Sequence, residues 1–455
     1  MAAPTGPRER ILCASVMLVR RLGLTVAATT ALALVGVAVA IADGRAGAVA
    51  PDGTFGGGHG WVTTRLRGNS GLGYKVTLVK GGRIVVVGQA LGPLVNGQPR
   101  NQIVVLRYLS NGRLDRRFGS GGIFKTALPA ASGPYNATSV AVDQAGRLIV
   151  AGGDGRGDML ALRLSANGRP DRSFGPNRNG VVAVPDGDFA LSVAVGPGGR
   201  ILLGGANGSA NGRPMVVARL TSSGRLDRGF GRGGVTQVRF WNVVQAAGSP
   251  VNRLVVARDG SVTGSGHVDY IGGDGHGSVG VFRLTSKGRL ARSFGQGGHV
   301  EVAFRNRNRS FAFWFPCAMD VDARGRVLAT GDAVLNGRGA LLTARLTPRG
   351  TLDRSYGVTR DGRSVVYGLS GDNFPNCGAA VTGAGVLTAG VATSLVQVDP
   401  TGRPNRRFAR GGVFEIRRPR GVSINALAPA GPGAFLVTGS AGNDVYVARY
   451  RAALR

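Results

Sequence analysis

The sequence predicts an all-β fold, a seven-bladed β-propeller of four-stranded blades. Three observations support this prediction: a motif built around one aromatic residue and glycines recurs seven times, each repeat unit contains four short apolar runs, and the two ends of the chain supply complementary parts of one blade. The 455 residues include 78 glycines and only 3 cysteines, which excludes a disulfide-rich scaffold and a coiled coil. An open solenoid of the same repeats is the alternative.

The repeat motif divides residues 51–455 into units. Counted from Asp52, successive copies start 63, 56, 56, 64, 62 and 52 residues apart. One aromatic residue per copy is typical of packing between blades. The copies are PDGTFGGGHGWV (51–62), LDRRFGSGGIF (114–124), PDRSFGPNRNGVV (170–182), LDRGFGRGGVT (226–236), LARSFGQGGHV (290–300), LDRSYGVTRDGRSVV (352–366) and PNRRFARGGVF (404–414).

Each unit is predicted to contain four strands separated by glycine turns. In the second unit the four runs are SVAVD (139–143), RLIVAGG (147–153), LALRL (160–164) and GVVAV (180–184). The motif resembles the repeat of the delta-60 family of secreted bacterial proteins, over essentially all of residues 51–455. The resemblance implies a β-propeller, and it transfers no catalytic residues because the family has no established activity.

The chain ends are expected to close the ring. The last unit stops after three strands, the third of which is VYVARY (445–450), whereas the chain begins with an orphan fourth strand, GWVTTRL (60–66). An open solenoid would leave both edges unpaired, which favours aggregation. We therefore predict that residues 60–66 pair with residues 445–450.

Arginine–aspartate pairs are predicted to fix the turn between the third and fourth strands. A third-strand arginine stands eight residues before the motif aspartate in four units, and Asp52 precedes the orphan strand where Arg449 needs a partner. In unit six both members change together, and in unit four the aspartate is replaced by alanine. The predicted pairs are Arg107 with Asp115, Arg163 with Asp171, Arg219 with Asp227, Arg345 with Asp353, and Arg449 with Asp52.

The N-terminus has the order of a secretory signal: arginines, an uncharged apolar run, and the small-residue site Ala40-Ile41-Ala42, with a poorer site ending at Ala50. We predict a signal peptide at residues 1–42, or alternatively an uncleaved membrane anchor, then a lead-in at 43–59 and the propeller at 60–455. A secreted or cell-surface location follows.

The charge favours anionic partners. Removal of residues 1–42, which carry four arginines and one glutamate, lowers the formal net charge from +32 to +29. An exported protein of this charge is expected to adhere to wall polymers, lipid headgroups or nucleic acid. Adhesion of this kind is not specific.

The longest interruptions of the repeat predict a ligand face. In a propeller, the loops from strand two to three and from strand four to the next unit share one face. In units three to five these loops combine aromatic rings with arginines, which suits stacking on sugars or bases and pairing with phosphate or carboxylate. The alternative is that residues 311–315 extend an inner strand and plug the channel. The candidate ligand-binding residues are Trp241, Tyr270, Arg305, Arg307, Arg309 and Trp314.

Cysteine and histidine patterns predict no metal and no cofactor. Cys317 and Cys377 occupy equivalent repeat positions in neighbouring units, so a disulfide and two free thiols both remain open. The loop at residues 267–277 holds two histidines and two aspartates, and a solvated loop is favoured there over a cation site.

Two functions of different classes remain. The first is a monomeric, non-enzymatic binding module or scaffold for an anionic cell-envelope polymer, polysaccharide or protein. The alternative is an extracellular lyase or hydrolase of a polyanionic polysaccharide, with Asp269 and Asp274 as the acids of the loop face. Nonspecific adhesion to nucleic acid is a third reading, and membrane contact is expected only through an uncleaved leader.

Overall fold

The computed structural model describes strands, turns and short 3-10 segments within the compact unit Ala46–Arg455. Within the described residues there is no helix long and apolar enough to cross a membrane. The described residues are 49–66, 70–95, 98–127, 138–153, 157–185, 187–207, 214–240, 250–269, 277–305, 313–367, 369, 377–381, 387–391, 394–416 and 421–452.

Antiparallel strands make up the described chain. In chain order they are β1 (Val49–Pro51), β2 (Trp61–Thr64), β3 (Gly71–Val79), β4 (Arg83–Val95), β5 (Gln98–Tyr108), β6 (Ile123–Ala127), β7 (Ser139–Val142), β8 (Leu148–Gly153), β9 (Met159–Leu164), β10 (Val181–Val184), β11 (Phe189–Val195), β12 (Ile201–Ala206), β13 (Met215–Leu220), β14 (Val235–Val238), β15 (Val251–Val256), β16 (Val262–Asp269), β17 (Gly277–Leu284), β18 (His299–Val302), β19 (Phe313–Val321), β20 (Val327–Leu335), β21 (Arg338–Leu346), β22 (Arg363–Tyr367), β23 (Cys377–Val381), β24 (Leu387–Val391), β25 (Ser394–Val398), β26 (Val413–Glu415), β27 (Val422–Pro429), β28 (Ala434–Ala441) and β29 (Asp444–Ala452).

The chain is an all-β propeller built from four-stranded sheets. Consecutive strands pair in order within each sheet, as the repeat pattern predicts, because each unit is one up-and-down meander. The four-stranded sheets are sheet 1 (β3–β6), sheet 2 (β7–β10), sheet 3 (β11–β14), sheet 4 (β15–β18), sheet 5 (β19–β22) and sheet 6 (β23–β26).

The strands from the two chain ends share a five-stranded sheet. It contains β27, β28 and β29, and both β1 and β2 pair with β29. Trp61 lies opposite Ala448 and Thr64 opposite Val445, while Val49 lies opposite Ala452. The prediction of seven four-stranded blades is therefore corrected: the described strands form six four-stranded sheets and one five-stranded sheet.

The extra strand has a local cause. In the four-stranded sheets the residue before the motif aspartate, or its equivalent, makes an isolated bridge to the end of the third strand, as Leu114 does with Tyr108. Pro51 makes the same pairing with Tyr450, but two more residues upstream, Ala50 and Val49, continue it. β1 is thus the motif bridge extended into the segment that the sequence analysis assigned to the lead-in.

The core lies between neighbouring sheets. The first strands of successive sheets contact each other in the order β3, β7, β11, β15, β19, β23, β27, and β27 in turn contacts β3. The motif aromatics are buried between sheets, as predicted; Phe118, for example, packs with Val85 of sheet 1 and Leu162 of sheet 2. The buried aromatics of the motif are Phe55, Phe118, Phe174, Phe230, Phe294, Tyr356 and Phe408.

In several sheets a glycine of the turn between the third and fourth strands makes room for the ring of the preceding sheet. Gly224 of sheet 3 has a φ of 84°, and a Cβ there would lie 2.7 Å from the ring of Phe174 of the sheet before it. Only glycine satisfies both the left-handed backbone and this close approach.

Candidate functional site

The turns that join strands one to two and three to four lie at the same edge of each sheet, and this edge is the turn face. Arg83, the first residue of β4 after the turn from β3, has its Nε 3.2 Å from the carboxylate of Asp115, in the turn between β5 and β6. Arg200 and Asp227 of sheet 3 repeat the contact at 3.1 Å. The strand ends that flank the loops of the predicted ligand residues, such as Val238 of β14 and Val302 of β18, lie at the opposite edge, the loop face.

The structure brings together all five predicted arginine–aspartate pairs. Each third-strand arginine places its Nε against the motif carboxylate across the tight turn, and both side chains are largely buried. The Nε–Oδ2 distances are 2.9 Å for Arg107 and Asp115, 2.9 Å for Arg163 and Asp171, 3.0 Å for Arg219 and Asp227, 2.8 Å for Arg345 and Asp353, and 2.7 Å for Arg449 and Asp52.

Each of these five arginines also joins its own sheet to the next one. A second guanidinium nitrogen donates to a backbone carbonyl in the turn of the following sheet, as from Arg219 to Ser286 and, at 2.7 Å, from Arg449 to Ser110. The guanidinium carbon lies 4.4 to 5.1 Å from the centre of the motif aromatic ring, which adds a cation–π contact. The arrangement is therefore a structural clamp that repeats around the molecule.

Two units depart from the clamp in the way the sequence indicates. Arg283 faces Ala291 and instead donates to Thr263 Oγ1 at 3.3 Å and to the Pro348 carbonyl at 2.8 Å. In sheet 6 the amide of Asn405 donates to Gln397 Oε1 at 2.6 Å, so a neutral pair replaces the charged one.

Two of the paired carboxylates, those of Asp171 and Asp353, illustrate how the pKa of such an acid is lowered. Burial by itself raises the pKa of Asp171, but hydrogen bonds from Ser173 and the charge of Arg163 lower this pKa below its usual value. The same balance, through Ser355 and Arg345, lowers the pKa of Asp353. A carboxylate with a lowered pKa is a poor proton donor at neutral pH, so these acids fit a structural role rather than a catalytic one.

Unpaired arginines crowd the turn face. They flank the motif position or follow the turn glycines, their side chains are exposed, and in the described part of the chain their guanidinium groups make no ion pair or hydrogen bond. These residues are Arg113, Arg116, Arg117, Arg169, Arg172, Arg178, Arg225, Arg228, Arg232, Arg289, Arg292, Arg349, Arg354, Arg360, Arg403, Arg406 and Arg407.

Two clefts lie on the turn face, each at a seam between sheets. One, of about 1090 Å³, lies between the five-stranded sheet and sheet 1 and is lined by Arg65, Arg83, Asp115 and the arginines of residues 113–117. The other, of about 1410 Å³, lies between the turns of sheets 2 and 3. Arginines contribute to both linings, so the turn face offers anions concave as well as flat surface.

The loop-face residues lie largely outside the description. Trp241, Tyr270, Arg307 and Arg309 fall outside the described residues, and of Trp314 only the backbone is described, where it pairs with Ala333 in sheet 5. Arg305 is exposed at the end of the described segment before them. The predicted grouping of these six residues therefore stays a prediction.

The structure describes several other residues near the loop face and on the first strands only in part. The half-buried ring of Phe240 packs edge-on against His299, with ring centroids 4.9 Å apart, beside the core between sheets 3 and 4. Cys317 and Cys377 lie on the adjacent first strands β19 and β23, which contact each other. Their side chains lie outside the described part, and the disulfide stays a prediction. Asp269 ends β16, while Asp274 falls outside the described residues.

A charged set on the first strands escaped the sequence analysis. Lys75 and Arg253 each follow the β-bulge of their strands, β3 and β15, and so occupy equivalent positions. Burial, together with the charge of Arg253, lowers the pKa of Lys75 to about 7. Burial raises the pKa of Asp320 on β19, although Arg253 opposes this shift. The sequence feature that could have identified this set is a charged residue within a mostly apolar first strand.

Comparison with known proteins supports the fold. Residues 325–356 match a family model described as a β-propeller domain of unknown function (DUF5122). The match fits a propeller-repeat protein, and the narrower resemblance to the delta-60 repeat remains a prediction. No curated protein matches the chain.

Several solved structures are distantly similar. Domains 1–2 of the extracellular part of Drosophila Semaphorin 1b are 9% identical with a TM-score of 0.45, covering 87% of this chain and 86% of that one. A polysaccharide lyase of family PL25, an ulvan lyase, is 13% identical with a TM-score of 0.42, covering 86% and 96%. The GH93 α-L-arabinofuranosidase of Fusarium graminearum is 9% identical with a TM-score of 0.42, covering 70% and 93%. None of these similarities transfers an activity to this chain.

Proposed function

We propose that this protein is an exported, non-enzymatic binding module for an anionic cell-envelope polymer, and that it binds the polymer through the turn face. The observation that carries the proposal is the set of exposed arginines on that face whose guanidinium groups have no partner in the described part of the chain. The aspartates nearest to them are already neutralised by buried arginines, so they do not cancel the surface charge.

An extended ligand suits this surface better than a small one. Each exposed arginine alone contributes little in water, because solvent and salt screen it. A polymer that touches several turns at once gains the sum of these contacts and releases its own counterions, which makes binding strongly dependent on salt. Repetition of the arginines from sheet to sheet supplies the multiple contacts.

We also propose that the turn face is a closed ring of seven blades, with the five-stranded sheet as the seventh. Three contacts between the chain ends support closure. β2 pairs with β29, Arg449 of β29 donates to the Ser110 carbonyl of sheet 1, and Asn425 of β27 donates to the Gly73 carbonyl at 3.0 Å. The equivalent inner contact joins Thr138 to the Ala190 carbonyl between sheets 2 and 3 at 2.6 Å, so this seam is built like an internal one.

Export is part of the proposal. Cleavage after Ala42 would leave β1 intact, whereas cleavage after Ala50 would remove Val49, whose side chain is 6% exposed and packs in the core beside β29. The structure therefore favours the first of the two sites that the sequence offers.

The test compares two triple variants that each remove three positive charges. Binding of polyphosphate, dextran sulfate and poly-glutamate to the full mature chain is measured by calorimetry over a range of salt concentrations. We expect R113Q/R116Q/R117Q, on the turn face, to weaken binding and to reduce the salt dependence. We expect R305Q/R307Q/R309Q, at the positions that the sequence analysis predicts for the loop face, to change both much less.

Two results would contradict the proposal. A larger loss in the loop-face triple would move the site to the opposite face. Binding of random-sequence DNA as tight as the best of the three polymers, with the same salt dependence, would indicate adhesion without preference for envelope polymers.

A further inference from the structure

The cleft between the turns of sheets 2 and 3, here the seam cleft, differs from the first cleft in the charge of its lining. Its volume is about 1410 Å³, and it is lined by residues of the segment 169–179 and by Ser223 and Arg225. Four arginines contribute to its lining and no aspartate or glutamate does; they are Arg169, Arg172, Arg178 and Arg225. The first cleft, between the five-stranded sheet and sheet 1, in contrast includes Asp115 in its lining.

The nearest acid does not neutralise the seam cleft. Asp171 has its carboxylate 2.9 Å from Arg163 Nε and 3.5 Å from Arg147, and it accepts two hydrogen bonds from Ser173. These contacts occupy the carboxylate oxygens, and the charge is balanced by arginines that do not line the cleft. The four cleft arginines are therefore left with their charge unopposed.

Arg178 sits on a backbone that arginine rarely adopts. Its φ is 52°, in the left-handed region, where a residue with a Cβ carries a penalty on the order of 1 kcal/mol. The turn PNRNG (176–180) is longer than SGG (120–122), its counterpart in sheet 1, where the residue of matching conformation is Gly121 with a φ of 63°. The longer turn thus carries a guanidinium where the shorter one carries no side chain.

The chain holds a matched turn that contains an additional acidic residue. In sheet 5, Arg354 and Arg360 stand where Arg172 and Arg178 stand in sheet 2, and Arg360 has nearly the same φ, 54°. The neighbour of Arg360 is Asp361, half-exposed and 3.5 Å from Arg363, whereas Arg178 is followed by the neutral Asn179. The two turns therefore share the left-handed arginine but differ in the residue that follows it, Asn179 in one and Asp361 in the other.

We propose that the seam cleft is the anchoring site for a tetrahedral oxyanion group, a phosphate or sulfate ester carried by the polymer. Guanidinium groups bind such anions through paired, charge-assisted N–H···O bonds. Four of them around one cavity can neutralise a doubly charged group and still leave charge for its neighbours along the polymer. This inference rests on the proposed function, since it assigns one subsite of the turn face.

The experiment compares two double variants with equal loss of charge, R172A/R178N in the seam cleft and R354A/R360N in the matched turn. Asparagine is used at the left-handed positions because it tolerates that backbone. Circular dichroism and thermal unfolding check that both variants fold. The probes are polyphosphate and dextran sulfate, with poly-glutamate as the carboxylate arm, titrated into the full mature chain.

We expect R172A/R178N to weaken the binding of polyphosphate or dextran sulfate by about tenfold or more, because each lost charge-assisted bond accounts for roughly a factor of ten. R354A/R360N should weaken polymer binding only by the loss of general electrostatic attraction, about threefold or less. Stronger loss with polyphosphate than with dextran sulfate identifies a phosphate ester as the source, and the reverse identifies a sulfate.

The outcomes separate this inference from the proposed function. Equal losses in the two double variants would overturn the seam cleft as an anchoring site while leaving polyanion binding intact. An equally large loss with poly-glutamate would overturn the preference for tetrahedral oxyanions. Absence of binding by the unmodified protein to all three polymers would overturn both proposals.

Discussion

Replacement of Asp52 by asparagine tests the clamp that joins the two ends of the chain. The Asp52 carboxylate is almost fully buried and accepts from Arg449 Nε at 2.7 Å and from Arg451 Nε. It also accepts from the backbone and hydroxyl of Thr54. Asparagine keeps the side-chain oxygen that caps the turn but removes the charge. The substitution therefore tests the ion pair between Asp52 and Arg449, which lie 397 residues apart in the sequence.

The expected magnitude follows from the burial of the two partners. The side chain of Arg449 is 13% exposed, so removal of its counter-ion leaves a largely buried charge, which costs about 3 kcal/mol of unfolding free energy in comparable pairs. Arg451 is 62% exposed and adds at most about 1 kcal/mol. Arg449 keeps its bonds to Ser110 and Thr54, and we therefore expect Asp52→Asn to lower the free energy of unfolding by about 2–3 kcal/mol at pH 7.

The assay is urea unfolding followed by circular dichroism, with Asp227→Asn as the matched internal control. Both substitutions remove one clamp, but only Asp52→Asn loosens the seam between the chain ends. Amide hydrogen exchange should therefore rise in Val62–Thr64 for Asp52→Asn and not for Asp227→Asn. A loss below about 0.5 kcal/mol for Asp52→Asn, alongside a normal loss for the control, would refute the role of the clamp in closure.

The pH dependence of the free energy of unfolding provides a second test of the same substitution. Burial raises the pKa of Asp52, but hydrogen bonds from Arg451 and Thr54 and the charge of Arg449 bring it well below the usual 3.8. Because the folded-state pKa is the lower one, the stabilisation is complete above about pH 4 and is lost as the pH falls further. The difference between the unmodified protein and Asp52→Asn should therefore narrow below that pH.

Two further substitutions test other parts of the account. Ala291→Asp should restore the missing clamp of sheet 4 and raise the free energy of unfolding by about 1 kcal/mol, because Arg283 already lies over the motif ring; an unchanged or lower urea midpoint would contradict this. Lys75→Met should remove part of the pH dependence of the free energy of unfolding. The pKa of Lys75 is 10.5 in the unfolded chain and about 7 in the folded one. The cost of burying its charge is therefore complete below pH 7 and is relieved as the pH rises towards 10.5. The urea midpoint of the unmodified protein should thus rise from pH 6 to pH 9 more than that of Lys75→Met, and parallel pH profiles would contradict the burial of this charge.

The repeat made the strand pattern and the clamp predictable. An arginine eight residues before an aspartate becomes a contact because a tight turn folds the third strand's end back onto the motif, and this geometry recurs in each unit that keeps both residues. The same logic anticipated the pairing of β2 with β29, since Asp52 precedes β2 and Arg449 lies on β29.

Features outside the repeat were not predictable in this way. β1 pairs through Val49 and Ala50, which belong to no motif and are distinguished only by lying next to one. The arginines of the turn face were visible in the sequence but were interpreted as bulk charge, because exposure and lack of a partner are properties of the fold.

Hydrogen–deuterium exchange of residues 43–455 with and without polyphosphate tests the central claim most directly. If the turn face binds the polymer, protection should appear in the third-to-fourth turns of successive sheets, such as residues 109–122 and 165–180, and should be strongest at the seam between sheets 2 and 3. Protection confined to the loop face, for example at the ends of β16 and β17 near residues 268–278, would contradict the account.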